Sequence, residues 1–170
     1  HRGIGSKFCI VVCAPRALAQ RTLGEVLAQL GRLDEARSNL RESADYFRQT
    51  GYDTDWMASE LALLEISDMA PEDLCAKLDV IAPHSRGIPD HEARILILRA
   101  RAHESLGRMQ AALGDLRLAC DSMALIRVGV ADIVLSAQLS AVAEQFFVEA
   151  IALALRLGDA AAVLDLCEYR

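Results

Sequence analysis

A single glycine between two stretches of helical apolar spacing limits this chain more than any other feature. Residues Ala93 to Ala119 read ARILILRARAHESLGRMQAALGDLRLA. Apolar residues recur there at three- and four-residue spacing on both sides of Gly107, the pattern of two amphipathic helices folded back on each other. Glycine can close a helix in the left-handed conformation, which a Cβ makes costly. Ala100 stands seven residues before Gly107, Ala112 five after, and Leu116 four beyond that. Small residues at such positions let two helix backbones approach closely, and the four-residue step keeps Leu116 on the face of Ala112.

The same offsets recur elsewhere. Around Gly31 they fall on Gly24, Ala36 and Leu40, and around Gly158 on Ile151, Val163 and Cys167. Met69 lies 38 residues from both Gly31 and Gly107, with Ala62, Leu74 and Leu78 in the matching slots. Four turns with one spacing predict an internal repeat of about 34 to 45 residues, the size of a helix-turn-helix solenoid unit. An irregular helical bundle is the alternative.

The order of small residue, apolar residue, glycine, alanine and large apolar residue resembles the tetratricopeptide repeat. Leu23-Gly24, Gly31, Ala36 and Leu40 match its most diagnostic slots. The aromatic of the first helix is replaced by Gln20, Ala58 and Leu96 and met by Phe147, and the unit-ending proline is missing. The resemblance implies an all-α fold, a right-handed α-solenoid of about four antiparallel helix pairs over residues 15–170. Residues 1–14 are then a flexible or remnant N-terminal segment. The start at His1, and repeats that run to the last residue, suggest an excerpt of a longer protein. The last unit would then leave Ala160, Val163, Leu164 and Cys167 partly exposed, because terminal repeats need a polar cap.

Composition agrees with helices. Hydrophobic residues make up 53% of the chain but aromatics only 5%, so alanine and leucine dominate and favour close-packed helices over sheets. The net charge of −6, with no run of basic residues, argues against nucleic acid or an anionic membrane surface as partner. No apolar stretch is long enough to span a bilayer. The short run FCIVVCA lacks a following cleavage site of small residues. Five scattered cysteines read as buried free thiols of a reducing compartment, hence a cytoplasmic protein. Cys9 and Cys13 have no second pair at zinc-site spacing.

Taken in order, helices are expected over 15–30, 34–49, 56–68, 71–81, 90–106, 109–127 and 131–157, with an eighth from near Asp159. Asp55 and Asp90 are the expected N-caps of the third and fifth. Residues 82–91 read as a loop, rich in proline and glycine. The surplus between Asp121 and Ala137 reads as lengthening of the sixth and seventh helices.

No catalytic arrangement stands out. His84 and His91 flank a loop with Asp90 and Glu92 but match no metal motif. His103 reads as a packed core or groove histidine. No glycine-rich phosphate loop, nucleophile elbow or convergent carboxylate pair is visible. The reading is a non-enzyme without metal or cofactor. The resemblance further implies a concave groove for a protein or peptide, lined by Arg21, Glu25, Gln29, Trp56, Ser59, Arg94, Arg101 and Glu104. Trp56 reads either as an anchor for a partner or as a staple at the start of the third helix. The arginines could grip acidic groups, or pair locally, Arg21 with Glu25 and Arg101 with Glu104. The one asparagine, Asn39, falls on a second helix, which speaks against the carboxylate clamp of some members of the family.

The long Ala/Leu/Arg-rich units, and the ending VLDLCEYR, resemble bacterial repeats that precede a caspase-like CHAT protease domain. That implies an interaction scaffold whose chemistry lies elsewhere. Similar repeats form the sensor arm of bacterial ATP-dependent transcription regulators, which is the second expectation.

Overall fold

The computed structural model describes residues 4–129 and 146–168, with side chains over 14–124 and 146–168. Among these residues the chain is helical throughout, without a strand. It divides into two compact units, His1–Met69 and Ala70–Arg170.

The first unit holds α1 (Ile4–Gln29), α2 (Leu33–Thr50) and α3 (Asp53–Glu65). α2 packs against both neighbours. Its apolar face buries Ala36, Leu40, Ala44 and Phe47 beside Leu27, Met57 and Leu61. Each fully buried leucine of this kind stabilises by about 1.5–3 kcal/mol relative to exposure. Gly24 sets the approach of α1 to α2: a Cβ there would lie 2.6 Å from Leu40 Cγ and 3.2 Å from the Ala36 carbonyl oxygen. The close contact expected at this slot is therefore present.

α1 starts at Ile4 rather than at Pro15, and Pro15 lies within it. Proline there removes the backbone donor to the residue 11 carbonyl. A short apolar run does not distinguish strand from helix by periodicity alone, and here it is helical. α3 begins at Asp53, three residues earlier than expected, with Tyr52 at the N-cap position and no side-chain cap. Asp55 thus lies inside the first turn.

The second unit holds α4 (Pro71–Ile81), a 3₁₀ turn (Ala82–Ser85), α5 (Pro89–Ser105), α6 (Met109–Gly129), α7 over residues 146–157 and α8 (Ala160–Glu168). α4 keeps its expected bounds, with Pro71 opening it and Glu72 and Asp73 in the first turn, where acids suit the helix dipole. Of the expected loop at 82–91, residues 82–85 form the 3₁₀ turn and the last three already belong to α5, so Asp90 sits within α5 rather than capping it. Asp159 does cap a helix: its Oδ1 accepts from the Ala162 N–H at 3.0 Å at the start of α8. One core joins α5 to α8 through Ala100, Ala112, Leu116, Phe147, Ala154 and Leu166. α6 runs to Gly129, and the expected start of the seventh helix lies outside the described residues.

Helix ends follow one geometry. Gly31, Gly51, Gly107 and Gly158 have φ of 75°, 75°, 70° and 69°. After each, the next residue's N–H returns to a carbonyl five residues back: Arg32 to Leu27, Tyr52 to Phe47, Arg108 to His103, and Asp159 to Ala154. This closure satisfies carbonyls that a helix end leaves bare. Gly51 is a member of this set that the repeat spacing did not reveal. Met69 is not: α3 ends at Glu65 with Ser67 N–H bonded to the Leu64 carbonyl, and the boundary between the two units falls at Met69.

In the last hairpin the contact register differs by one residue. Ile151 and Val163 are half-buried and Cys167 is exposed, whereas Ala150, Ala162 and Leu166 are buried. Alanine permits the closer backbone approach, so the alanine-bearing face wins the interface. Ala160, Leu164 and Cys167 are exposed and Val163 half-buried, as expected of that face.

Candidate functional site

The eight expected groove residues fall on separate units: Arg21, Glu25, Gln29, Trp56 and Ser59 in the first, Arg94, Arg101 and Glu104 in the second. Arg21 reaches across from α1 to α3, where its Nη1 donates to Asp55 Oδ1 at 2.9 Å. This is a tertiary ion pair, not the local pair with Glu25. Asp55 is free to make it because it does not cap α3. Trp56 is half-buried, and the Arg48 guanidinium lies 5.8 Å from the centroid of its ring, within cation–π range. Glu25 is half-buried and Gln29 exposed.

Ser59 is not a groove residue. It is 0% exposed. Its hydroxyl donates to the Asp55 carbonyl at 2.9 Å and lies 3.1 Å from Ser43 Oγ. Since Ser59 spends its one proton on the carbonyl, Ser43 donates to Ser59. Both hydroxyls buried between α2 and α3 thus have a place for their proton, Ser43 on Ser59 and Ser59 on the Asp55 carbonyl, as buried polar groups need. Its slot in the repeat pointed outward only because the third helix was taken to follow the arrangement of the first.

In the second unit Arg94 pairs with Asp90 at 3.9 Å, one helical turn back. Arg101 meets Glu149 of α7 at 3.5 Å rather than Glu104, which instead accepts from Arg156 at 2.7 Å. Charged groups thus pair across helices more than along them.

The strongest polar centre was not among the expected residues. Arg99 of α5 donates from Nε and Nη2 to Asp115 of α6 at 2.9 and 2.7 Å, and from Nη1 to Asp79 of α4 at 2.7 Å. One guanidinium therefore ties three helices, with the two-pronged geometry that suits arginine and carboxylate. The hydrogen bonds to Asp115, together with the one to Asp79, raise the Arg99 pKa and outweigh burial. Beside it, His103 Nε2 lies 3.8 Å from Asp115 Oδ2, and His103 Nδ1 lies 4.0 Å from Cys75 Sγ. Cysteine, histidine and aspartate stand in line as nucleophile, base and orienting acid would. The thiol does not suit that role. Cys75 is buried, and burial first, then Asp79, raises its pKa against the pull of Arg108 and Arg99. A reactive thiol needs the opposite shift and access. The cluster works as a packed polar link, consistent with a core or groove reading of His103.

A sequence signal for this centre existed. Arg99 and Asp115 stand at equal distances, eight residues, on either side of Gly107. In a helix pair closed by a short turn, equidistant positions face each other, so opposite charges there should meet.

Next to Arg99 is a cavity of about 310 Å³, open to solvent, between the 3₁₀ turn, α5 and α6. Ala82, Ile95, Leu96 and Leu118 give its apolar wall, and Ser85, Glu92, Asp121 and Ser122 its polar part. Glu92 is positioned by the Gly87 N–H, which donates to its Oε1 at 2.9 Å. A second hollow, about 340 Å³ and mostly apolar, lies at the α7–α8 turn around Leu155, Val163 and Leu164.

Among the described residues no group of three or more His, Cys, Asp and Glu side chains is placed to hold a metal ion. None of the helices there is long and apolar enough to cross a membrane. Cys75, Cys120 and Cys167 are free thiols, the first two buried and the third exposed; the side chains of Cys9 and Cys13 lie outside the described residues. Compared with family models, curated proteins and solved structures, the chain matches none. What the fold defines is an all-helical protein built from glycine-closed helix pairs.

Proposed function

We propose that this chain is a non-catalytic protein-interaction scaffold, the tetratricopeptide-like arm of a larger bacterial protein. The observation that carries the reading is the repeated closure at Gly31, Gly107 and Gly158, each linking two helices through a turn of two or three residues with alanine or glycine at the helix contact. Units made this way can stack, and stacked units offer a concave face to a partner. A right-handed solenoid of about four antiparallel pairs is part of the proposal, as is a caspase-like CHAT domain as the neighbour that acts on what the arm captures.

Of the expected groove residues, Arg21, Arg94 and Arg101 remain the proposed contacts, with Glu25, Gln29, Trp56 and Glu104 beside them. Arg101 is the most open of the three, with a side chain 52% exposed. Exposed ion pairs contribute only about 0–1 kcal/mol, so at Arg101 a partner carboxylate can replace Glu149 at little cost, whereas the Arg21 and Arg94 side chains are more enclosed. The test is affinity capture from source-cell extract with the chain and with an Arg21→Ala, Arg94→Ala, Arg101→Ala variant. The variant is expected to keep its helical circular dichroism and lose the captured partner. An unchanged partner at unchanged affinity overturns the assignment of the arginines.

A second reading, the sensor arm of an ATP-dependent transcription regulator, is favoured by the cavity beside Arg99, which is large enough for a small ligand.

A further inference from the structure

The end of α3 is closed differently from the four glycine turns. At Gly31, Gly51, Gly107 and Gly158 a glycine at positive φ redirects the chain. The residue after α3 is Ile66, with φ of −108°. Beyond it the Ser67 N–H and hydroxyl both return to the Leu64 carbonyl. The Ile66 carbonyl is taken by a side chain from another helix. Arg37 of α2 donates from Nη2 to that carbonyl at 3.0 Å and to Asp68 Oδ2 at 3.1 Å, and from Nη1 to Asp34 Oδ1 at 3.3 Å. A cation at this place also suits the negative end of the helix dipole.

Arginine stands here where the repeat elsewhere has a leucine. Arg37 lies six residues after Gly31, as Leu113 lies six after Gly107. Leu113 is buried in the apolar core of its unit, whereas Arg37 reaches out to the chain that leaves α3. That chain, residues 66–70, has neither helix nor strand and leads out of the first unit into α4. Apart from bonds to the adjoining ends of α3 and α4, its polar contacts among the described residues all come from Arg37. Ile66 and Met69 are half-buried, but apolar contact is not directional. The acids on the guanidinium stand in water, with side chains 100% exposed at Asp34 and 95% at Asp68. Salt therefore weakens both ion pairs and leaves the carbonyl bond as the remaining tie.

We propose that Arg37 is a salt-sensitive latch on the segment that joins the two units. Closed, its fork holds the Ile66 carbonyl and Asp68 together and keeps residues 66–70 against α2. Open, the segment loses that tie and the end of α3 frays. The opening is local, because the core around Leu40, Phe47 and Leu61 does not depend on the guanidinium. The latch stands whether or not the chain captures a partner.

The experiment is amide hydrogen exchange, read by nuclear magnetic resonance on the whole chain and on Arg37→Met, which keeps a long side chain without its donors. The Ser67 amide, bonded to the Leu64 carbonyl, is expected to exchange at least about tenfold faster in the variant, the factor that follows from losing a charged hydrogen bond. The Phe47 and Leu61 amides should keep their rates. In the natural chain, raising the salt to about 0.5 M should speed Ser67 exchange about two- to fivefold relative to Phe47, as expected for weakened exposed ion pairs. In Arg37→Met salt should make no such difference. Unchanged Ser67 exchange in the variant, an equal rise at Ser67, Phe47 and Leu61, or a salt response that is the same with and without Arg37 each overturn the proposal. So does a natural chain whose Ser67 exchange ignores salt, a result that needs no folded variant.

Discussion

At the scale of single residues, two glycines are needed for different reasons. Gly24 is a matter of space. A methyl group there would meet Leu40 Cγ at 2.6 Å, so α1 and α2 would have to separate. Gly24→Ala is expected to destabilise by about 1–3 kcal/mol, despite alanine's better helix propensity, read from urea denaturation. Gly107 is a matter of conformation. No atom lies within 4 Å of a Cβ placed there, but φ is +70°. Gly107→Val should therefore cost more than about 1 kcal/mol from backbone strain alone. A thiol gives a third case. Burial, aided by Asp121, pushes Cys120 from 9.0 up to about 12. The unfolded thiol ionises first as pH rises, so the stability tied to its neutral form is complete below pH 9.0 and lost as pH approaches about 12. Urea midpoints measured across that window should fall less steeply for Cys120→Ala than for the natural chain.

At the scale of elements, helices are joined by charge as well as by apolar contact, and location decides what each pair contributes. Asp115 has a side chain 9% exposed and takes two bonds from Arg99. Asp165 is 54% exposed and takes one from Arg117. Removing Asp115 takes two of the three acceptors from a mostly enclosed guanidinium that links α4, α5 and α6, leaving it the exposed Asp79, whereas removing Asp165 returns an exposed arginine to water. Asp115→Ala is therefore expected to cost about 2–3 kcal/mol and Asp165→Ala less than about 1 kcal/mol, compared by thermal and urea unfolding. The α7–α8 hairpin adds a point about register. Positions spaced for contact by analogy with Gly107 were off by one residue, because a face bearing Ala150, Ala154 and Ala162 packs more closely than one bearing Ile151 and Val163.

At the scale of the molecule, each compact unit has its own buried residues: Leu40, Phe47, Met57 and Leu61 in the first, Leu116, Cys120, Leu153 and Leu166 in the second. A segment with its own apolar core can fold by itself. Expressed separately, residues 1–69 and 70–170 are each expected to give a helical circular dichroism spectrum and a cooperative melt. Loss of helix in either fragment would show that its core is not sufficient. The whole chain should show no substantial strand signal.

Local chemistry is what the sequence alone determined. Glycine's tolerance of positive φ, proline's fit at the first turn of α4 and the three- and four-residue apolar spacing depend on neighbours along the chain. They made the all-helical class, most helix bounds and the closures at Gly31, Gly107 and Gly158 legible. Partner choice between helices was left to the tertiary structure. Which acid Arg21 meets, why Asp55 does not cap, why Ser59 is buried with Ser43, and how Arg99 gathers Asp79 and Asp115 all depend on which faces meet across a turn. Burial also decided the fate of Cys75, whose neighbours His103 and Asp115 come from two other helices. The cavity beside Arg99 arises the same way, from the angle at which a 3₁₀ turn and two helices pack, a quantity no single segment encodes.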